Sequence, residues 1–295
     1  MRKETRGLLL GLIAVTGFSL TPPATRAAVL YLDPLFVSYG RAVLAGVFAA
    51  LILWFSGQRW PPRHTLASLF VVAGCVVILF PLLLAFALHT VPAAHTGVML
   101  GILPLVTTIF AALRCKEYPS PLFWLVSVLG AAIVTGFALW YGQGAIELAD
   151  WLLVVAVVVA AIGYVEGARL SQHLGSWQTI CWALVVGAPL LLVPLVMFVY
   201  ESDIDAPASA WVGFIYVALV SQLFGFFPWY RGMAIVGAAK VSQIMLLMPL
   251  MTLVFSSWLM QESVGGITWL FAAAIVLIVA ISWRLPVRRP SVDGI

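Results

Sequence analysis

Apolar runs of about twenty residues follow one another along nearly the whole chain, separated only by short polar or turn-forming breaks. Wound as a helix, a run of that length spans the ~30 Å hydrocarbon layer of a bilayer. Ten such runs can be marked. The first five are Gly7 to Val29, Pro34 to Ser56, Leu66 to Leu88, Ala93 to Leu113 and Pro121 to Tyr141. The second five are Trp151 to Leu170, Trp177 to Tyr200, Ala208 to Tyr230, Gly237 to Met260 and Val264 to Trp283. Little is left to form an extramembrane domain. Only 9% of the 295 residues are charged, against about 25% in a soluble domain, which excludes a soluble enzyme. The expected fold class is an all-α integral membrane protein with ten transmembrane helices. The breaks at His89 to Pro92 and Gly232 to Val236 are barely polar and predict tight hairpins.

Charge fixes the expected orientation. With a cytoplasmic N-terminus, twelve basic residues fall inside: Arg2, Lys3, Arg6, Arg59, Arg63, Arg114, Lys116, Arg169, Arg231, Arg284, Arg288 and Arg289. Arg26 falls outside, where Asp33, Glu147, Asp150, Glu201, Asp203, Asp205 and Glu262 collect. Because Lys and Arg are retained on the cytoplasmic side, both termini are expected there, in a bacterial inner membrane. Trp54, Trp60, Trp124, Trp140, Trp151, Trp211 and Trp283 stand near run ends, as interfacial anchors do. The first run also fits a signal peptide, since Arg2, Lys3 and Arg6 precede a short apolar stretch and small residues at Ala24 to Ala28. That alternative would leave nine spans.

An internal repeat reaches further than hydropathy. Val91 to Glu117 aligns without gaps on Val236 to Glu262 at an offset of 145, with eight identities that include Pro104/Pro249, Thr107/Thr252, Phe110/Phe255 and Glu117/Glu262. Five spans per repeat is an odd number, so the second copy must enter the membrane from the opposite side. The units expected are residues 1–145 and 146–290, followed by a cytoplasmic tail at 291–295. Arg114 and Lys116 beside Glu117 become Leu259 and Gln261 beside Glu262, as inversion requires. Inverted repeats of this kind build secondary transporters, with the substrate site near the midplane.

The 5+5 arrangement, the Ala-Ala, Pro and Glu of the fourth and ninth spans, and an Arg early in the second span resemble the EamA-type transporters of the drug/metabolite transporter superfamily. The resemblance covers nearly the whole chain. It implies a secondary transporter, with export favoured over uptake, for a small amphipathic metabolite such as an amino acid. Small residues that follow the motif Glu in that family are matched by Gly130 in the first half, while Ala273 or Ala274 stands there in the second.

Ionisable groups inside spans are costly and usually face a bundle interior or cavity. Arg41, about seven residues into the second span, either snorkels to the outer headgroups or clamps a carboxylate or phosphate bidentately. Lys240 enters the ninth span from the inside at the depth where His95 enters the fourth from the outside. An imidazole titrates near neutrality, which makes His95 a candidate carrier of a coupling proton. Glu166 stands three residues before Arg169, where an intrahelical pair is the plain reading. The sharper one pairs it with Lys240 as an inner gate. Arg41, Tyr39, His95, Met99, Tyr164, Gln178, Trp182, Trp229, Lys240 and Gln243 are candidate substrate-binding or cavity residues, with Gln222 at similar depth, and Pro104 and Pro249 are candidate hinges. Trp182, Trp229 and Tyr164 also suit an alternative, uptake of a small cation or quaternary amine into an aromatic cage.

No HExxH, GxSxG or P-loop is present and the histidines are dispersed, so neither an enzyme nor a metal site nor a cofactor is expected. Cys75, Cys115 and Cys181 have no metal-type spacing. A net charge of +4 without any basic run argues against nucleic acid. The partners expected are the substrate, the lipid bilayer and a proton, with the chain acting as a monomer or a homodimer.

Overall fold

The computed structural model describes residues 3–142, 148–201, 205–260 and 266–288. Its helices in chain order are α1 (Lys3–Val29), α2 (Pro34–Phe55), α3 (Arg63–Thr90), α4 (His95–Cys115), α5 (Pro121–Gly142), α6 (Leu148–Leu174), α7 (Ser176–Val199), α8 (Ala208–Val236), α9 (Ala238–Phe255) and α10 (Gly266–Arg284). Among the described residues, all but α5 and α10 are long and apolar enough to cross a membrane, and those two carry shorter apolar stretches. A strand pair, β1 (Tyr118–Pro119) with β2 (Val287–Arg288), ties the loop after α4 to the end of α10. Leu9, Ile13, Val47, Leu51, Val193 and Val196 face outward from the bundle, as expected where the surrounding solvent is lipid. The chain is an all-α membrane protein. Glu147, Asp203, Glu262 and the tail at 291–295 lie outside the described residues.

One hairpin is displaced from its expected position. Arg231 and Gly232 do not end α8, which continues to Val236. The turn is made by Gly237, whose φ of 115° is strained for any residue with a Cβ, and α9 begins at the next residue. A lone Arg at the membrane surface does not break a helix; a glycine able to reverse the chain does.

Four prolines set the irregular segments. Proline has no N–H for the carbonyl four residues back and its ring crowds that carbonyl. For Pro81 that residue is Val77, inside a π-helical stretch at Ala73–Leu79. For Pro228 it is Phe224, closing a π-helical stretch at Val217–Phe224. Pro104 and Pro249 point back to Leu100 and Met245, inside the 3₁₀ segments Leu100–Ile102 and Gln243–Leu247. Each wide or tight turn absorbs the clash locally, so the helices continue. Pro189 and Pro194 lie inside α7, which runs on without such a segment.

Helices of the first and second halves interleave. α2 packs along α7, α1 along α8, α3 along α6, α4 on α9, and α5 on α10. Lipid offers little hydrophobic gain for helix association, so close backbone approach carries much of the packing. Gly232 supplies it between α1 and α8, where a Cβ would stand 2.7 Å from the Gly7 carbonyl oxygen. Gly167 supplies it between α6 and α8, where a Cβ would stand 2.3 Å from the Tyr230 ring. Replacing Gly167 with Leu is therefore expected to lower the thermal midpoint of the detergent-purified protein by on the order of 5 °C or to prevent folding. Gly136→Leu, with nothing within 4 Å among the described residues, should leave it unchanged. Equal midpoints for the two variants would contradict this packing.

Candidate functional site

A cavity lies where α1, α2, α3, α4, α6, α8 and α9 meet. Its walls are apolar, formed by Phe18, Val76, Phe80, Leu84, Leu100, Leu103, Phe226, Met245 and Met248, with Thr21, Arg41, Tyr164, Ser221 and Gln222 as the polar members. All five are enclosed: Thr21 is 4% exposed, Arg41 2%, Tyr164 3%, Ser221 4% and Gln222 1%. The π-helical stretches shape the polar side of this space. Gln222 donates its amide N–H across the bundle to the carbonyls of Val76 at 3.1 Å and Val77 at 3.5 Å, which satisfies the carbonyl released by Pro81. Ser221, one residue earlier, shares a 2.6 Å hydrogen bond with Thr21, where α1 is interrupted at Leu20. Arg41 differs from these. Among the described residues no group hydrogen-bonds its Nε or Nη1, and no carboxylate lies in salt-bridge reach of it.

One end of the bundle is closed by charged groups. The Glu166 carboxylate accepts from Ser68 at 2.5 Å, from Arg114 Nε at 2.9 Å, and pairs with Arg169 Nε at 3.5 Å. Lys240 pairs with Glu4. Glu117 accepts from the backbone N–H of Ala238 and of Ala239, both at 2.9 Å, and so caps the start of α9 with a carboxylate from beyond the end of α4. Lys116, in the left-handed region at φ 51°, turns the chain to deliver it. At the opposite end His95 and Asp150 hydrogen-bond at 2.6 Å, and Arg26 donates to the carbonyls of Leu88 and His89.

Helical bundles of this kind exist among known proteins. The EamA-like transporter family matches the chain twice, over residues 5–139 and 147–284. The chain belongs to this family. An uncharacterized transporter of Bacillus subtilis, YdeK, is 44% identical over 284 residues, covering 96% of this chain and 99% of its own. Protein PecM of Dickeya dadantii is 22% identical and covers 88% of this chain and 91% of its own. A solved crystal structure, 16% identical, superimposes with a TM-score of 0.75 over 94% of this chain and 96% of that one, which shows the shared fold. Membership in the EamA-like family makes the chain a membrane transporter and not an enzyme.

In this EamA-like chain the residues singled out from sequence fall in several places. Arg41 and Tyr164 line the cavity. Arg41 does not snorkel, because its side chain is buried in the bundle. Trp229 stands behind Tyr164, with ring centroids 5.4 Å apart. Gln243 donates to Thr108 at 3.2 Å and braces α9 against α4. Pro104 and Pro249 are both buried, and the Pro104 carbonyl accepts from Ser242 at 3.4 Å. Tyr39 and Met99 are partly buried packing residues outside the cavity wall.

Gln178 and Trp182 correct the expectation of mid-depth cavity groups. Gln178 folds over Gly175 at the start of α7, and Trp182 packs on Trp60, a loop residue, at 4.9 Å. Both stand in the first two turns of α7, which starts at Ser176, so their side chains lie near the bundle end. The Glu166–Lys240 pair is also corrected. Glu166 already has two guanidinium groups and a hydroxyl, and Lys240 has Glu4, a residue whose reach into the bundle sequence spacing did not reveal. Thr21, Ser221, Phe18 and Phe226 were missed altogether. Hydroxyls and phenyl rings within apolar runs carry no positional signal until the helices are assembled.

Proposed function

We propose that this transporter moves a small amphipathic metabolite, comparable in size to an amino acid, outward across the bacterial inner membrane by alternating access. The observation that carries the reading is the enclosed cavity, apolar on most sides, where helices of both halves meet around one buried guanidinium. Such sites at a repeat interface near mid-membrane are where secondary transporters bind substrate.

Ten crossings in two inverted five-helix units, 1–145 and 146–290, are supported by the two matches to one family model. The exchange-related partners α1–α8 and α6–α3, and α2–α7 and α4–α9, also pair as a two-fold axis in the membrane plane would pair them. The π-helical stretches in α3 and α8 and the 3₁₀ segments in α4 and α9 recur at the repeat spacing. The end that gathers Arg114, Arg169 and Lys240 is taken as cytoplasmic, together with both termini. Export follows the resemblance, and His95, hydrogen-bonded to Asp150, is a place where a coupling proton would reside. The cation-uptake alternative loses ground, because a guanidinium on the cavity wall repels a cationic substrate.

The test is counterflow in proteoliposomes with radiolabelled amino acids, organic acids and amines. Exchange of at least one compound that saturates with concentration is the expected result. Ungated conductance without exchange of any compound would replace the carrier with a channel.

A further inference from the structure

We propose that the cavity is built for a small monocarboxylate with an apolar body and no ammonium group, its carboxylate held by Arg41. This inference rests on the carrier reading above and narrows it from amphipathic metabolites in general to one charge type.

Counting charge on the cavity wall leads to this class. Arg41 is the only charged side chain among the described lining residues. It is 2% exposed, and Nε and Nη1 have no hydrogen-bond partner among the described residues. A guanidinium stays protonated in proteins and offers a planar fork matched to a carboxylate. Buried without a counter-ion it is costly, and an incoming carboxylate removes that cost as it binds. A single fixed positive charge matches one negative charge. A phosphate monoester, carrying nearly two, would remain under-neutralised.

The opposite sign is missing from the wall. An amino acid brings an ammonium, which needs a carboxylate or several acceptors, and the lining holds no Asp or Glu among the described residues. Its neutral polar groups offer an ammonium few acceptors: Thr21 and Ser221 are bonded to each other, and Gln222 gives its amide N–H to Val76 and Val77, which leaves its carbonyl oxygen and the Tyr164 hydroxyl. An ammonium placed there would lose its hydration with little in exchange. The remainder of the wall, including Phe226, Leu103 and Met248, suits a hydrocarbon body.

Three compounds sharing a 2-phenylethyl core separate the possibilities: 3-phenylpropanoate (anion), phenylalanine (zwitterion) and 2-phenylethylammonium (cation). Each is titrated against the purified full-length protein in detergent, with thermal stabilisation as readout, and each is tested in counterflow. The anion is expected to bind at least tenfold more tightly than the other two. Arg41→Gln should abolish that preference, and Arg41→Lys, which keeps the charge but not the fork, should retain part of it. Monodisperse elution of both variants controls for folding. The proposal is overturned if the anion gives no stabilisation, if the zwitterion or the cation binds as tightly as the anion, or if Arg41→Gln binds the anion as well as the parent does. Counterflow of the amino acid or the amine without any response to the acid overturns the charge assignment and leaves the carrier intact. Binding of the acid without counterflow of any compound retains the site and removes the carrier reading.

Discussion

Replacing Glu117 with Ala is expected to reduce counterflow per membrane-inserted molecule by at least about tenfold. Glu117 is 2% exposed and holds two backbone amides of α9, each at 2.9 Å. Removing the carboxylate leaves two buried N–H groups at a helix start without that acceptor, at a cost of about 1–3 kcal/mol each where water does not replace it. The charge also opposes the positive end of the helix dipole. The two hydrogen bonds join the end of α4 to the beginning of α9, the central helices of opposite halves, at the charged end of the bundle. In a carrier they favour the conformation closed at that end. A shift of 2–3 kcal/mol between conformations, at about 1.4 kcal/mol per decade, strands most molecules on one side of the cycle. Glu117→Gln, which keeps an acceptor oxygen but not the charge, should fall between. Wild-type flux in Glu117→Ala at equal membrane abundance would show that the cap is not part of the moving interface.

The second large effect is expected at Glu166. Its carboxylate is 5% exposed and sits among Ser68, Arg114 and Arg169. Glu166→Ala leaves two guanidinium groups facing each other across a buried hydroxyl, so both folding yield and transport should drop. Arg114→Ala should be milder, because Arg169 and Ser68 remain and because Arg114 is 55% exposed, where solvent screens much of its attraction. A double-mutant cycle with Glu166→Gln and Arg114→Gln should give a coupling of about 1 kcal/mol in thermal stability. Exchanging the charges of Glu166 and Lys240 should restore nothing, since those residues have different partners. Recovery by that exchange would revive the direct gate between them.

The membrane fold was legible because its determinants are additive along the chain. Apolar runs of bilayer length need only one-dimensional counting, and they mark an all-α membrane protein. The site was legible where burial of a charge is itself the signal: Arg41 within α2 could be suspected from its depth, and it does line the cavity. Charge partners were not legible. Lys240 lies 236 residues from Glu4, and Glu166 lies 52 from Arg114. Only the packing of α1, α4, α6 and α9 brings those together. Depth along a helix was also misjudged for Gln178 and Trp182, which stand in the first two turns of α7, where a polar or aromatic side chain meets the bundle end and not its middle. Glu117 was visible as a repeated residue. Its role as a cap for Ala238 and Ala239 required knowing that α9 begins beside the end of α4.

Whether the cavity opens in turn to the two sides is tested most directly at Ser221. A single cysteine is placed there in a background where Cys75, Cys115 and Cys181 are replaced, and a membrane-impermeant thiol reagent is applied to right-side-out and to inside-out vesicles. The residue borders the enclosed space and is 4% exposed. Labelling from both sides is expected, each slowed by a transported compound. Labelling from one side alone, unaffected by any transported compound, would contradict alternating access around this cavity.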